Sequence, residues 1–143
     1  MNLKSTLQFT VEIPVYPERV YRAWLDSYEH GQFTGQPANI QAEAGGRFIT
    51  LSGQVKSSLI RLVPHSSIEQ TWQIEDFPLE SDSSILLTLQ PTCTGCEVRL
   101  QHRGVPLEWG KKLLRWWEEQ YFRPLKAYFE AIVGDYVADM GDG

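Results

Sequence analysis

Two polar side chains in the second half of the chain, Gln70 and His102, are spaced to act as anchors for a small ligand. Alternate residues of a strand share a face, so Gln70 lies beside Trp72 and His102 beside Leu100. If Trp72 and Leu100 face the interior, both polar groups point into it as well. A few polar groups among apolar side chains are typical of small-molecule sites. We therefore predict that Gln70 and His102 anchor a ligand; a hydrogen-bonded structural histidine is the alternative.

Other residues that could do chemistry form no recognisable arrangement in the sequence. His30, His65 and His102 lie on separate segments, and no two of them have the i, i+4 spacing of a helical metal pair. The sequence contains no G-x-S-x-G elbow, no Walker loop and no dinucleotide-binding G-x-G-x-x-G. We therefore expect no catalytic residue, no metal ligand and no cofactor.

The two cysteines, Cys93 and Cys96, have the C-x-x-C spacing of some redox and zinc sites. A reactive pair usually opens a helix, whereas this pair lies between two predicted strands with Thr94 and Gly95 at its centre. A structural zinc site needs four ligands, and the sequence has no second pair. The spacing therefore favours two residues that flank a hairpin turn, with a cross-strand disulfide under oxidising conditions as the alternative.

A long C-terminal helix near residues 107–132 is the element that would close such a pocket. Large apolar side chains recur on one face every three or four residues: Leu113, Trp117, Tyr121, Leu125, Tyr128 and Ile132. Charged side chains recur on the other face: Lys112, Arg115, Glu119, Arg123, Lys126 and Glu130. Pro124 removes one backbone hydrogen bond inside this helix, so we expect a bend there.

The rest of the chain predicts a sheet for this helix to pack against. Residues 3–13 alternate like a strand, and a short helix near residues 17–26 follows, with a second short helical turn that ends near Gly31. From Asn39 onward, short alternating segments predict six further strands, about seven in all, joined mostly by hairpin-length loops. The six cover residues 39–44, 47–51, 54–64, 67–77, 83–91 and 96–104. Residues 3–13 should pair with this meander.

These elements predict an α+β fold in which a curved antiparallel sheet wraps around the long C-terminal helix, with two short helices after the first strand. We expect one domain over residues 1–143, with a core over about 3–133 and a flexible tail over 134–143. The predicted core is Trp24, Phe48, Trp72, Leu87, Leu100, Trp117, Tyr121 and Leu125. The predicted cavity lining is Gln70, Trp72, Leu87, Leu100, His102, Leu113, Trp117 and Tyr121.

Composition excludes some classes of partner. The net charge is −5, and no cluster of Lys and Arg of the kind that phosphate binding needs is present, which argues against nucleic acid. No apolar run approaches the ~20 residues of a membrane span. The first residues lack the apolar region of a signal peptide, so we expect a cytoplasmic protein.

Several segments together resemble a known family. VYPERVYRAWLD, FTGQPANIQAEAGGRF, LVPHSSIEQTWQIEDFP, VRLQHRGVP and WWEEQYFRPLKAYF occur in the order found in the C-terminal domain of the activator of the 90-kDa heat-shock chaperone ATPase. That AHSA-type domain belongs to the START-like, or SRPBCC, superfamily, to which Bet v-like proteins also belong. The resemblance implies a helix-grip fold with a cavity between the sheet and the long helix. The family usually has glycine where this chain has Trp116, which would either fill the cavity or form a dimer contact.

Three functions are compatible with this resemblance, because a fold does not determine a function. The first is binding of a small hydrophobic or aromatic molecule in the cavity. The second is a protein-interaction module that contacts a chaperone or another protein in a stress pathway, and a homodimer is a further alternative. The third is a cyclase- or hydrolase-like enzyme that uses the same cavity.

Overall fold

The computed structural model describes residues 3–77, 79 and 83–141. In this part of the chain, eight strands form one antiparallel sheet in the order β1-β8-β7-β5-β4-β3-β2, and β6 pairs with β4 beside β5. The strands are β1 (Lys4–Ile13), β2 (Asn39–Ile40), β3 (Arg47–Thr50), β4 (Val55–Val63), β5 (Ser67–Thr71), β6 (Gln73–Ile74), β7 (Ser84–Pro91) and β8 (Cys96–Pro106). The predicted α+β architecture is confirmed.

The N-terminal strand closes one end of the meander, as predicted. β1 pairs with β8, and Phe9 lies opposite Leu100. Alternate side chains of β1 face the interior, as the period-two pattern predicts: Leu7 and Ile13 are buried and Phe9 is half-buried. The ring of Phe9 stacks on Phe122 of the C-terminal helix at 4.8 Å between centroids. The first strand is therefore part of the wall that faces this helix.

Two short helices follow β1 in the predicted positions. α1 (Pro17–Leu25) begins with Pro17 in its first turn, where the missing N–H costs nothing. α2 (Ser27–Thr34) begins where the Asp26 side chain accepts a hydrogen bond from the Glu29 amide at 2.8 Å. It ends at Thr34, three residues past the predicted end near Gly31, and Gly35, whose φ of 78° is left-handed, caps it.

The C-terminal helix consists of three consecutive segments: α3 (Gly110–Trp117), a π-helical turn (Glu118–Phe122) and α4 (Arg123–Gly141). In an α-helix of 3.6 residues per turn, a side chain four residues further along is rotated by about 40° around the helix axis. A stripe of side chains spaced by four would therefore move off the buried face. The wider π-helical turn takes up this drift. The buried stripe therefore continues through Leu125 to Phe129, while Tyr128 is half-buried and Ile132 is exposed.

The structure differs from the sequence prediction in local details. The strand predicted from Asn39 to Ala44 is only two residues long, because the Gln41 and Glu43 carbonyls take part in a tight turn that ends at Gly46. The strand predicted over residues 67–77 is broken at Trp72, whose amide bonds to the Ser83 carbonyl at 2.9 Å. The helix continues to Gly141 rather than ending near residue 132.

The cysteines lie at the predicted hairpin turn, but only Cys96 flanks it, at the start of β8, whereas Cys93 lies within the turn. The Thr92 amide donates to the Gly95 carbonyl at 3.0 Å between β7 and β8. Neither sulfur is in a disulfide; Cys93 is exposed and Cys96 is buried. Burial raises the pKa of the Cys96 thiol to about 11, so this thiol is not poised to react.

Candidate functional site

The eight residues predicted to line a cavity lie together in the interior between sheet and helix. Each is at most 2% exposed. Trp72 of the sheet stacks on Trp117 of α3 at 4.7 Å between ring centroids, and Tyr121 packs against both. Leu87 lies opposite Leu100 across β7 and β8. Their side chains form one packed cluster, and their role as a ligand site stays a prediction.

His102 points towards the helix and is held there by two hydrogen bonds. The Trp117 indole Nε1 donates to His102 Nδ1 at 3.0 Å. Since Nδ1 accepts, the proton of the neutral ring is on Nε2, which donates to Ser83 Oγ at 2.8 Å. Burial lowers the pKa of His102 to about 4. The imidazole is therefore neutral, and both of its nitrogens are already satisfied.

Gln70 also points inward, but its partners are not on the C-terminal helix. Its Oε1 accepts from the Trp24 indole Nε1 at 2.9 Å, and its Nε2 donates to Ser57 Oγ at 2.7 Å. Trp24 then packs against Tyr121 at 5.1 Å between ring centroids. Gln70 thus connects the sheet to Trp24 of α1, and the Trp24 indole in turn contacts the C-terminal helix at Tyr121.

Sequence reasoning missed a second buried histidine, His30 on α2. Its Nδ1 lies 2.8 Å from the Trp24 carbonyl, which can only accept, so Nδ1 carries the proton. Nε2 therefore accepts from the Tyr121 hydroxyl at 3.0 Å, and that oxygen accepts from Thr50 Oγ1 at 2.6 Å. Burial lowers the pKa of His30 to about 3. The sequence did contain a signal that His30 faces inward: it lies three residues before Phe33, on the same face of α2, and Phe33 is also buried.

One donor in this cluster has no partner. The Trp72 side chain is fully buried, and among the described residues no acceptor lies within hydrogen-bond distance of its Nε1. An unsatisfied buried donor costs about 1–3 kcal/mol. Trp72 is therefore the interior group that a small acceptor, such as a ligand oxygen, would satisfy.

Trp116, where the resembling family usually has glycine, adds to the wall of the cluster. Its ring packs edge-on against Trp72 at 6.2 Å and Trp117 at 5.2 Å, and against Tyr121 at 5.8 Å. It remains half-buried, and it lines a surface cleft of about 360 Å³. The indole thus lies between the packed interior and the outside.

The clefts at the surface involve other residues. Four of them, from about 360 to 610 Å³, are lined by residues outside the predicted set. The largest of these four lies beside α1 and includes Arg19, Arg22 and His65. Near it, the Arg19 guanidinium bonds to the Glu29 carboxylate, which also accepts from the Tyr128 hydroxyl at 2.8 Å. This network joins α1, α2 and α4.

The described part of the chain contains no metal-binding group of side chains and no membrane-spanning helix. There, no three His, Cys, Asp or Glu side chains group closely enough to hold a metal ion. Nor does any helix in this part combine the length and apolar character needed to cross a membrane.

Comparison with known sequences gives one family. A family model described as "Activator of Hsp90 ATPase homolog 1-like protein" matches residues 14–130. The chain is 28% identical over 113 residues to the human Activator of 90 kDa heat shock protein ATPase homolog 1, covering 79% of this chain and 33% of that protein. The Dictyostelium discoideum homolog is 22% identical over 126 residues, again with 33% of its length covered. The chain thus spans about a third of the length of the curated relatives it matches.

Solved structures of other proteins share this fold. An HSP90 activator from Plasmodium falciparum superposes with a TM-score of 0.72 at 22% identity, covering 90% of this chain and 96% of that one. A Chromobacterium violaceum protein superposes with a TM-score of 0.68 at 25% identity, covering 87% and 96%. These likenesses agree with the helix-grip architecture.

Proposed function

The chain belongs to the family of Activator of Hsp90 ATPase homolog 1-like proteins, and we propose that it is a co-chaperone-like module that binds a 90-kDa heat-shock chaperone. The match over residues 14–130 carries this proposal, since it runs from α1 into α4 and so includes the sheet and the helix packed on it. The human and Plasmodium falciparum proteins that it resembles are named as activators of this chaperone.

The polar anchors predicted for the interior are already hydrogen-bonded, which supports recognition of a protein partner through the outer surface. Gln70 and His102 already have partners for the polar atoms that would otherwise bind a ligand. Large side chains remain outside: Tyr28 is 76% exposed and Tyr16 is 59% exposed. Tyrosine is enriched among the residues that dominate binding energy at protein interfaces. These two side chains, at the start of α1 and α2, are the first to test for chaperone contact.

The test is a titration of a purified 90-kDa heat-shock chaperone with this chain. We expect saturable heat release in calorimetry and a changed rate of ATP hydrolysis by the chaperone. The background rate, which is the hydrolysis that remains when a chaperone inhibitor is present, is subtracted. Tyr28→Ser and Tyr16→Ser map the surface, and Leu107→Ser is the control because Leu107 is also exposed, at 56%, on another part of the surface. No heat change together with an unchanged rate would refute the proposal.

A second candidate function is the one predicted first from the sequence, binding of a small apolar or aromatic molecule in the interior. The observation that favours it is the unpaired Nε1 of Trp72 within the described interior. A ligand with one acceptor oxygen would satisfy this donor, at the cost of displacing packed side chains.

Native mass spectrometry of the purified chain tests this candidate directly. A bound mass that is lost in Trp72→Phe, which removes the N–H, and kept in Trp109→Phe would support it. Replacing His102 by Leu should weaken a polar ligand more than an apolar one, because an anchor contributes only to a ligand that it can satisfy. A chain that carries no bound mass and binds no member of an aromatic ligand set would contradict it.

A further inference from the structure

A cleft on the outer side of the C-terminal helix has the composition of a ligand site of its own. It has a volume of about 360 Å³, within the usual range for small-molecule pockets. Its walls combine aromatic and charged side chains: Phe77, Lys111, Lys112, Arg115, Trp116 and Glu119. Of these side chains only Trp116 also packs against the interior cluster, and the proposed chaperone contact at Tyr16 and Tyr28 uses none of them.

The charge of this cleft is opposite to that of the protein. Three cations, Lys111, Lys112 and Arg115, line it with one carboxylate, Glu119, whereas the whole chain has a net charge of −5. Among the described residues, none of the three cations is in a salt bridge. The Lys112 ammonium instead lies 5.3 Å from the ring centre of Trp109. Their positive charge is therefore available to an anion that enters the cleft.

The aromatic wall is held in place from behind. The Trp116 indole packs edge-on against Trp72 and Trp117, so its position is set by the buried cluster. Phe77, on the other side of the cleft, packs edge-on against Trp109 at 5.5 Å. A rigid aromatic wall binds a planar ring with little loss of conformational freedom.

These features together define one class of ligand. We propose that the cleft binds a small aromatic anion, with its ring against Trp116 and its carboxylate between Lys112 and Arg115. Arginine binds carboxylates through two parallel N–H donors, and the lysine adds a point charge. The volume accommodates one planar ring system and not an extended polymer.

The test uses 1-naphthoate as the probe, with uncharged 1-naphthamide and aliphatic acetate for comparison. Binding is measured by calorimetry on the full chain and by the NMR shift of the Trp116 indole N–H. We expect 1-naphthoate to bind at least about tenfold more tightly than either comparison compound, which corresponds to one charge-assisted hydrogen bond. Its affinity should also fall as salt is added, because the cations are near the surface.

Matched variants separate this cleft from other sites. Arg115→Gln should weaken 1-naphthoate about tenfold and leave 1-naphthamide unchanged. Lys126→Gln, a charge removal on the exposed face of α4, is the control and should leave both unchanged. Equal affinity for acid and amide, equal effects of Arg115→Gln and Lys126→Gln, or no binding would overturn the proposal. A loss caused by Trp72→Phe but not by Arg115→Gln would overturn it too, by placing the ligand in the interior.

Discussion

Mild acid should destabilise this protein because it buries two neutral histidines. Burial lowers the pKa of His30 to about 3 and that of His102 to about 4, whereas an unfolded chain has a histidine pKa of about 6.5. Both folded-state values are lowered, so their contribution to stability is complete above about pH 6.5. It is lost as the pH falls towards 4 and then 3.

The expected loss can be calculated for a step from pH 7.5 to 5.5. Over this step an unfolded histidine goes from about one-tenth to about nine-tenths protonated, while the folded ones stay neutral. Each therefore lowers the free energy of unfolding by about 1 kcal/mol, and the pair lowers it by about 2–3 kcal/mol. The hydrogen bond from Arg19 lowers the pKa of the Glu29 carboxyl, so this group stays ionised over the same step.

The assay is urea unfolding followed by tryptophan fluorescence at several pH values between 7.5 and 5.5. His102→Gln should remove about half of the pH dependence, because one of the two buried imidazoles is gone. His65→Asn is the control, since His65 is exposed and its φ of 63° suits asparagine. A free energy of unfolding that stays constant over this range would refute the reasoning, because the histidines would then titrate alike in both states.

Four further substitutions have expected effects on the free energy of unfolding, measured by urea or thermal unfolding. Trp117→Ala should cost about 3–5 kcal/mol; a cost below about 1 kcal/mol with ligand binding lost would mark Trp117 as a pocket wall. Tyr121→Phe removes the hydroxyl that donates to His30 and should cost about 1–3 kcal/mol, and no loss would mean that the buried chain of hydrogen bonds is not needed. Gly95→Ala should cost about 1–3 kcal/mol, because its Cβ would lie 2.1 Å from a β1 carbonyl oxygen. Gly134→Ala, with open space around it, should instead be neutral or stabilising; equal effects would contradict the steric argument.

The buried faces were largely predictable, and their exceptions have local causes. All eight predicted core residues are buried, since period-two and helical patterns identify the inward face without knowledge of the partner. Ile132 was expected on the buried face but is 38% exposed. The π-helical turn before Pro124 moves the stripe to Phe129, and a turn of this type has no clear sequence pattern.

The polar contacts of the candidate site were less predictable. Strand alternation placed Gln70 and His102 inward, and both do point inward. Their partners were not predictable, because Trp24 is 46 residues from Gln70 and lies on another element. His30 was interpreted as an isolated histidine because the hydroxyl of Tyr121, its partner, is 91 residues away.

The sequence by itself determined which segments are strands and helices, which faces are apolar and to which family the chain is similar. These properties depend on the spacing of side chains within a segment and on the order of the segments. The tertiary structure alone decided the protonation states of His30 and His102, the unpaired donor of Trp72 and the cationic cleft beside Trp116. The protonation states and the unpaired donor depend on distances between atoms far apart in the chain, and packing sets those distances only once the sheet has closed around the helix. The cations of the cleft are close in sequence, and the fold adds Phe77 to its wall and the packing behind Trp116.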